Sequence, residues 1–67
     1  MEIKAGRIKG LQNAAARLSE AEKAKMGYDQ CYYIGIIRRM KDLLIHEDGM
    51  TQEEVDNIEK GAREKAC

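Results

Sequence analysis

One imidazole, His46, and two thiols, Cys31 and Cys67, are the only side chains of this 67-residue chain suited to transition-metal binding or thiol chemistry. A structural zinc site needs four converging ligands, and the two cysteines have no C-x-x-C spacing and no second histidine to join them. His46 falls near the end of an expected helix, where a protonated imidazole meets the negative end of the helix dipole, which is reason enough for its presence. Acidic residues around Gly49 hint at a calcium loop: His46-Glu47-Asp48-Gly49, then Glu53 and Glu54. Register excludes it, because with Gly49 at the sixth position the first, third and twelfth ligand positions fall on Leu44, His46 and Val55. With no nucleophile motif, no Gly-rich phosphate loop and no histidine with an acid partner, the sequence points away from catalysis and implies no metal or cofactor.

Binding chemistry is the stronger theme. Lys4, Arg7, Lys9, Arg17, Lys23 and Lys25 concentrate positive charge near the N-terminus, and Arg38 and Arg39 add a second basic pair. Arg7, Lys9, Arg17, Arg38 and Arg39 are the candidate nucleic-acid contacts, although on a helical wheel they form no single stripe for phosphates. Tyr28, Tyr32 and Tyr33 beside Cys31 form the one aromatic cluster, and tyrosine suits interfaces because its ring is apolar and its end polar. Either Tyr33 is core with the other two flanking it, or the cluster belongs to a contact surface.

Three helices are expected to position these groups, and the chain reads as all-α: proline is absent and helical periodicity recurs. The first helix, about 7–26, carries a narrow stripe of Ile8, Leu11, Ala15 and Leu18; Lys4 and Glu22 intrude on that stripe, and Gly27 is placed to close it. Gly6 and Gly10, with the charged insertion, argue that Ile3–Arg7 frays. The second helix, about 30–46 with Asp29 as its cap, reads as the central one. Tyr32, Leu43, Ile36, Met40, Tyr33, Leu44 and Ile37 share a broad arc, which Ile34 and Ile45 extend past half the circumference with only Lys41 interrupting. The third helix, about 52–66, has the clearest start: Thr51 with Glu54 makes a capping box, and Met50 and Val55 are placed as its hydrophobic staple. Val55, Ile58, Ala62 and Ala66 form its stripe, with Asp56/Lys60 and Glu59/Arg63 as supporting pairs. The architecture expected is a three-helix protein with a C-terminal antiparallel helical hairpin closed by residues 46–49.

Composition bounds the rest. Sixty-seven residues make one small domain, and a core without Phe or Trp is thin. Twelve basic and twelve acidic groups cancel, which removes the global positive field of a typical nucleic-acid or membrane-surface binder. The charge is nonetheless polarised: residues 1–25 carry six basic and three acidic groups, residues 46–67 three basic and seven acidic. No apolar run is long enough for a membrane span, and two cysteines make no disulfide framework, so a cytoplasmic setting is expected.

From Ile36 to Glu64, the run Ile-Ile-Arg-Arg-Met-Lys-Asp-Leu-Leu followed by Asp48-Gly49-Met50-Thr51-Gln52-Glu53-Glu54-Val55 resembles the SHOCT family of short helical hairpins found at the C-termini of bacterial proteins. Leu43, Leu44, Gly49, Thr51, Glu53 and Glu54 carry the resemblance; the longer link from Leu44 to Gly49 and Val55 in place of an aromatic depart from it. The resemblance implies oligomerisation or partner contacts. Chains this short rarely stabilise a lone core by more than ~3–5 kcal/mol, and association is one of the few other ways to bury a wide apolar arc. The expected function is therefore a protein–protein interaction or oligomerisation module, with a homodimer or a larger protein as partner and Tyr33, Ile34, Ile37 and Ile45 at the interface. On that reading Ile34→Asp or Ile45→Asp disrupts association more than folding. A small nucleic-acid-associated regulator is the alternative. A variant of the first is a phage-type inhibitor docking through an acidic third helix with Glu53, Asp56 and Glu64 outward.

Overall fold

The computed structural model describes residues 3–66, with side chains as far as Lys65. It is all-α: α1 (Ile3–Lys23), α2 (Gly27–His46) and α3 (Gln52–Ala66) follow one another through two short links. Ile3–Arg7, expected to fray, is part of α1, whereas Met1, Glu2, Cys67 and the stripe position of Ala66 lie outside the description.

The first link differs from expectation in an instructive way. The Met26 N–H donates to the Ala21 carbonyl at 3.0 Å and the Lys25 N–H to the Glu22 carbonyl at 3.2 Å, the paired bonds of a Schellman motif. The left-handed residue this motif requires is Lys25, with φ +57°, not Gly27, which opens α2. Helix α2 starts without a side-chain cap; Asp29, expected to cap it, lies inside its first turn, where its charge complements the helix dipole. The Gln30 amide reaches back to donate to the Ala21 carbonyl at 3.4 Å.

At the second link, Gly49 takes a φ of +72°, and the Met50 N–H donates to the Leu44 carbonyl at 2.9 Å. The capping box is formed in both directions: Glu54 N–H donates to Thr51 Oγ1 at 3.1 Å and Thr51 N–H to Glu54 Oε1 at 3.0 Å. Its staple residues Met50 and Val55 are both buried.

The core corrects the expected centre of the molecule. Helix α1, not α2, lies between the other two: it buries Leu11, Ala14, Ala15, Leu18, Ser19 and Ala21, whereas α2 buries only Ile37 and Leu44. The largest wholly enclosed side chains come one from each helix: Leu11, Leu44 and Val55. The physical reason is side-chain size. Ala14, Ala21 and Gly10 fall on one flank of α1 and Ala15 and Ser19 on the other, so two helices can approach closely; a Cβ on Gly10 would meet Met40 Sδ at 3.6 Å. Counting large apolar side chains favours α2 and overlooks this surface of small ones.

Helices α2 and α3 run antiparallel across the Gly49 link. They touch each other far less than either touches α1, and Lys41 Nζ joins them, 2.7 Å from Asp56 Oδ1 and 2.8 Å from Glu59 Oε1. No helix among the described residues is long and apolar enough to cross a membrane.

Candidate interaction surface

The apolar arc of α2 divides when its neighbours are in place. Ile37, expected at a partner interface, is 4% exposed and belongs to the core, because it points with Leu44 straight at α1. Tyr33 and Ile45 are half-buried and pack against the same core, so neither is a free surface group. Ile34 remains exposed at 44%. The apolar groups presented most openly on α2 are instead Tyr28 at 86% and Tyr32 at 59%. Tyr32 stands edge-on to Tyr33, with ring centroids 5.2 Å apart and planes at 77°, so the half-buried ring steadies the exposed one.

Tyr28 and Tyr32 begin a longer pattern. Positions Tyr28, Tyr32, Gly35, Arg39, Asp42 and His46 are separated by alternating steps of four and three, and every one is exposed. At 100° per residue they form one stripe along the side of α2 opposite Ile37 and Leu44. Periodicity favours the inner face because the large aliphatic residues cluster there. The signal for the outer stripe is present in the spacing of the two tyrosines, but it becomes visible only once α1 has claimed the inner face.

Between α1 and α2 runs an open groove of about 390 Å³, lined by Gly10, Asn13, Ala14 and Arg17 on one side and by Tyr32, Tyr33 and Ile36 on the other. Of the basic residues, Arg17 alone joins this groove. Arg7 is committed elsewhere: its guanidinium donates to Asp48 Oδ2 at 3.0 Å and lies 3.7 Å from Glu47, tying the first turns of α1 to the α2–α3 link. Arg7 is therefore a structural tether, contrary to its place among the candidate phosphate contacts. Lys9 is exposed on α1 and Arg38 and Arg39 are exposed on α2, on different sides of the fold.

The polarised charge is largely used within the chain. Lys4 and Glu22, which intrude on the apolar stripe of α1, face opposite charges on α3: Glu22 pairs with Arg63, and the charge of Lys4 acts on Glu54. Arg63 also lies 3.9 Å from Glu59. Burial lowers the pKa of Lys41, but its bonds to Asp56 and Glu59 outweigh that, and the ammonium titrates above the ordinary lysine value. Asp56 is held below the usual carboxylate range by Lys41 and then by the Gln52 amide, which donates to it at 2.8 Å. Glu54 is likewise lowered, first by the Thr51 N–H and then by its hydroxyl.

A groove of about 500 Å³ between α1 and α3 is walled by Ser19, Glu22, Asp56, Glu59 and Arg63 among others, and these four charged groups are engaged in pairs. His46 ends α2 in the open, Cys31 is an exposed thiol, and among the described residues no three His, Cys, Asp or Glu side chains converge to hold a metal ion. The outer side of α2 presents two exposed rings, with the charges of Arg39 and Asp42 about two to three turns further along. The chain matches no family model, no curated protein and no solved structure.

Proposed function

We propose that this protein is a non-enzymatic interaction module, a small cytoplasmic regulator that works by docking through the outer side of α2. The observation that carries this reading is the exposure of Tyr28 and Tyr32 on a domain whose inner faces are already filled by α1. Large aromatic rings in water are costly to solvate and are favoured at contact surfaces, where the ring is covered and the hydroxyl finds a polar partner. The hairpin's likeness to SHOCT modules points the same way. Ile34 is exposed on a different flank of α2, about 120° around the helix from Tyr28, while Ile37 lies in the core and Ile45 packs against it.

A double variant, Tyr28→Ser/Tyr32→Ser, separates this function from folding. It is expected to weaken association, with itself or with a partner, by at least about tenfold. Its thermal unfolding should stay close to that of the parent, since neither ring is needed to close the core. Loss of the helical fold in the double variant would contradict the reading. So would tight, steeply salt-dependent retention on DNA or RNA that is lost on changing Arg38 and Arg39, because that is the behaviour of a phosphate binder.

A further inference from the structure

Outside the core stand the groove between α1 and α3, the exposed Cys31 thiol and the 4-3 stripe on α2. The groove is occupied by its own salt bridges, and a single thiol specifies nothing. The stripe carries more, because its groups complement one another when the sequence is read backwards.

Gly35 is the first clue. It sits in the middle of a 20-residue helix, and a Cβ built there would have nothing within 4 Å. The monomer therefore gives no steric reason for glycine at a position where any residue but proline would favour the helix more. On the outer surface the missing side chain leaves a shallow notch in the stripe, about one turn from Tyr32. The second clue is charge. Arg39, Asp42 and Asp29 have no ion pair among the described residues, in contrast to the half-buried Arg7, Lys41 and Arg63. Acids and bases alternate along this side, which disfavours a polyphosphate and favours a surface patterned in the same way.

We infer that the occupant of this face is a second copy of the chain, with α2 lying antiparallel on α2 of its partner about a two-fold axis between residues 33 and 34. In that register each Tyr32 ring enters the notch over the other copy's Gly35. Tyr28 comes level with Arg39 across the axis, placing a guanidinium over an aromatic face with the Asp29 carboxylate beside it. Asp42 comes level with the α1–α2 turn that carries Lys25. The like-charged Arg39 side chains are kept about 16 Å apart along the axis, at 1.5 Å rise per residue. Both α1 and α3 lie behind the pairing face, so neither obstructs it. Four tyrosine rings, each covering up to about 200 Å², bury about 800 Å² at most, which is the range of weak, transient contacts. The dimer is therefore expected to be weak and reversible.

This pairing rests on the interaction reading above and names its partner. The test is molar mass by light scattering and sedimentation over a concentration series, with reducing agent present, for the parent, Gly35→Gln and Arg39→Glu. The parent is expected to pass from monomer to dimer. Gly35→Gln fills the notch while favouring the helix, so it should melt no lower than the parent yet dimerise at least about tenfold more weakly. Arg39→Glu should do the same through charge.

Orientation is read from spin labels at His46→Cys in a Cys31→Ser/Cys67→Ser background. Antiparallel pairing places the two labelled backbones about 37 Å apart along the axis, whereas parallel pairing makes them level. A dimer indifferent to Gly35→Gln, or one with adjacent labels, would overturn this pairing while leaving the interaction reading to another face. A parent that stays monomeric at every concentration also overturns it. If the Tyr28→Ser/Tyr32→Ser change then leaves the set of captured partners unaltered, the broader reading falls with it.

Discussion

Lys25 shows how a single residue can depart from its preferred conformation when the surrounding hydrogen bonds require it. Its φ of +57° completes the Schellman bonds that end α1, and a side chain in that region costs about 1 kcal/mol that glycine does not incur. Lys25→Gly should therefore raise the stability of the isolated domain by about that amount, measured by urea unfolding. The titrating residues make a second residue-scale prediction. Asp56 and Glu54 have lowered folded-state pKa values, so their contribution is present above the ordinary carboxylate pKa and is lost as pH falls through the lower, folded value. Lys41 is raised, so its contribution is present below the ordinary lysine pKa and is lost as pH rises through the folded one. The melting temperature followed by circular dichroism should thus be flat near neutrality. It should fall on the acid side below about pH 4 and on the alkaline side above about pH 10. The acid limb should shrink in Asp56→Asn.

At the scale of elements, what the sequence makes legible is what depends on neighbours in the chain. Thr51 and Glu54 are three positions apart, and their box formed as expected because both partners lie in one turn. Thr51→Ala should accordingly cost about 1 kcal/mol. Gly61, inside α3 with nothing within 4 Å of where a Cβ would stand, should tolerate Ala with a gain of about 0.5–1 kcal/mol. What depends on remote neighbours was not legible. Lys41 broke the apolar arc of α2 without explanation, because its partners Asp56 and Glu59 are on another helix. Ile37 and Ile34 looked alike on the wheel, and only the position of α1 made one core and the other surface. Asp29 and Gly27 carried generic cap signals, but the turn was decided by backbone bonds that any residue can make. The outer tyrosine stripe was hidden for the same reason: its exposure is defined by what covers the opposite face.

At the scale of the whole molecule, α1 is the element on which the other two depend. Because α2 and α3 touch each other far less than either touches α1, a fragment beginning at Met26 should lose cooperative thermal unfolding even though it contains the entire hairpin. Truncation within the core of α1 should be nearly as severe: Leu11→Ala removes a fully enclosed side chain and should cost about 2–5 kcal/mol, comparable to the whole stability of so small a domain. The same arrangement fixes an order of events in time. Gln30 reaches Ala21 across nine positions, whereas Glu22 meets Arg63 and Arg7 meets Asp48 across 41. Short loops close sooner than long ones, so α1 and α2 should zip together from the Lys25 turn before α3 arrives. In reverse, α3 should be the first helix to detach, and its amides should exchange with deuterium faster than those around Leu11 and Ile37. The Arg63–Glu22 pair then acts as a latch on the last step of folding rather than a strut in the finished structure, and weakening it should speed the opening of α3 without slowing the meeting of the other two.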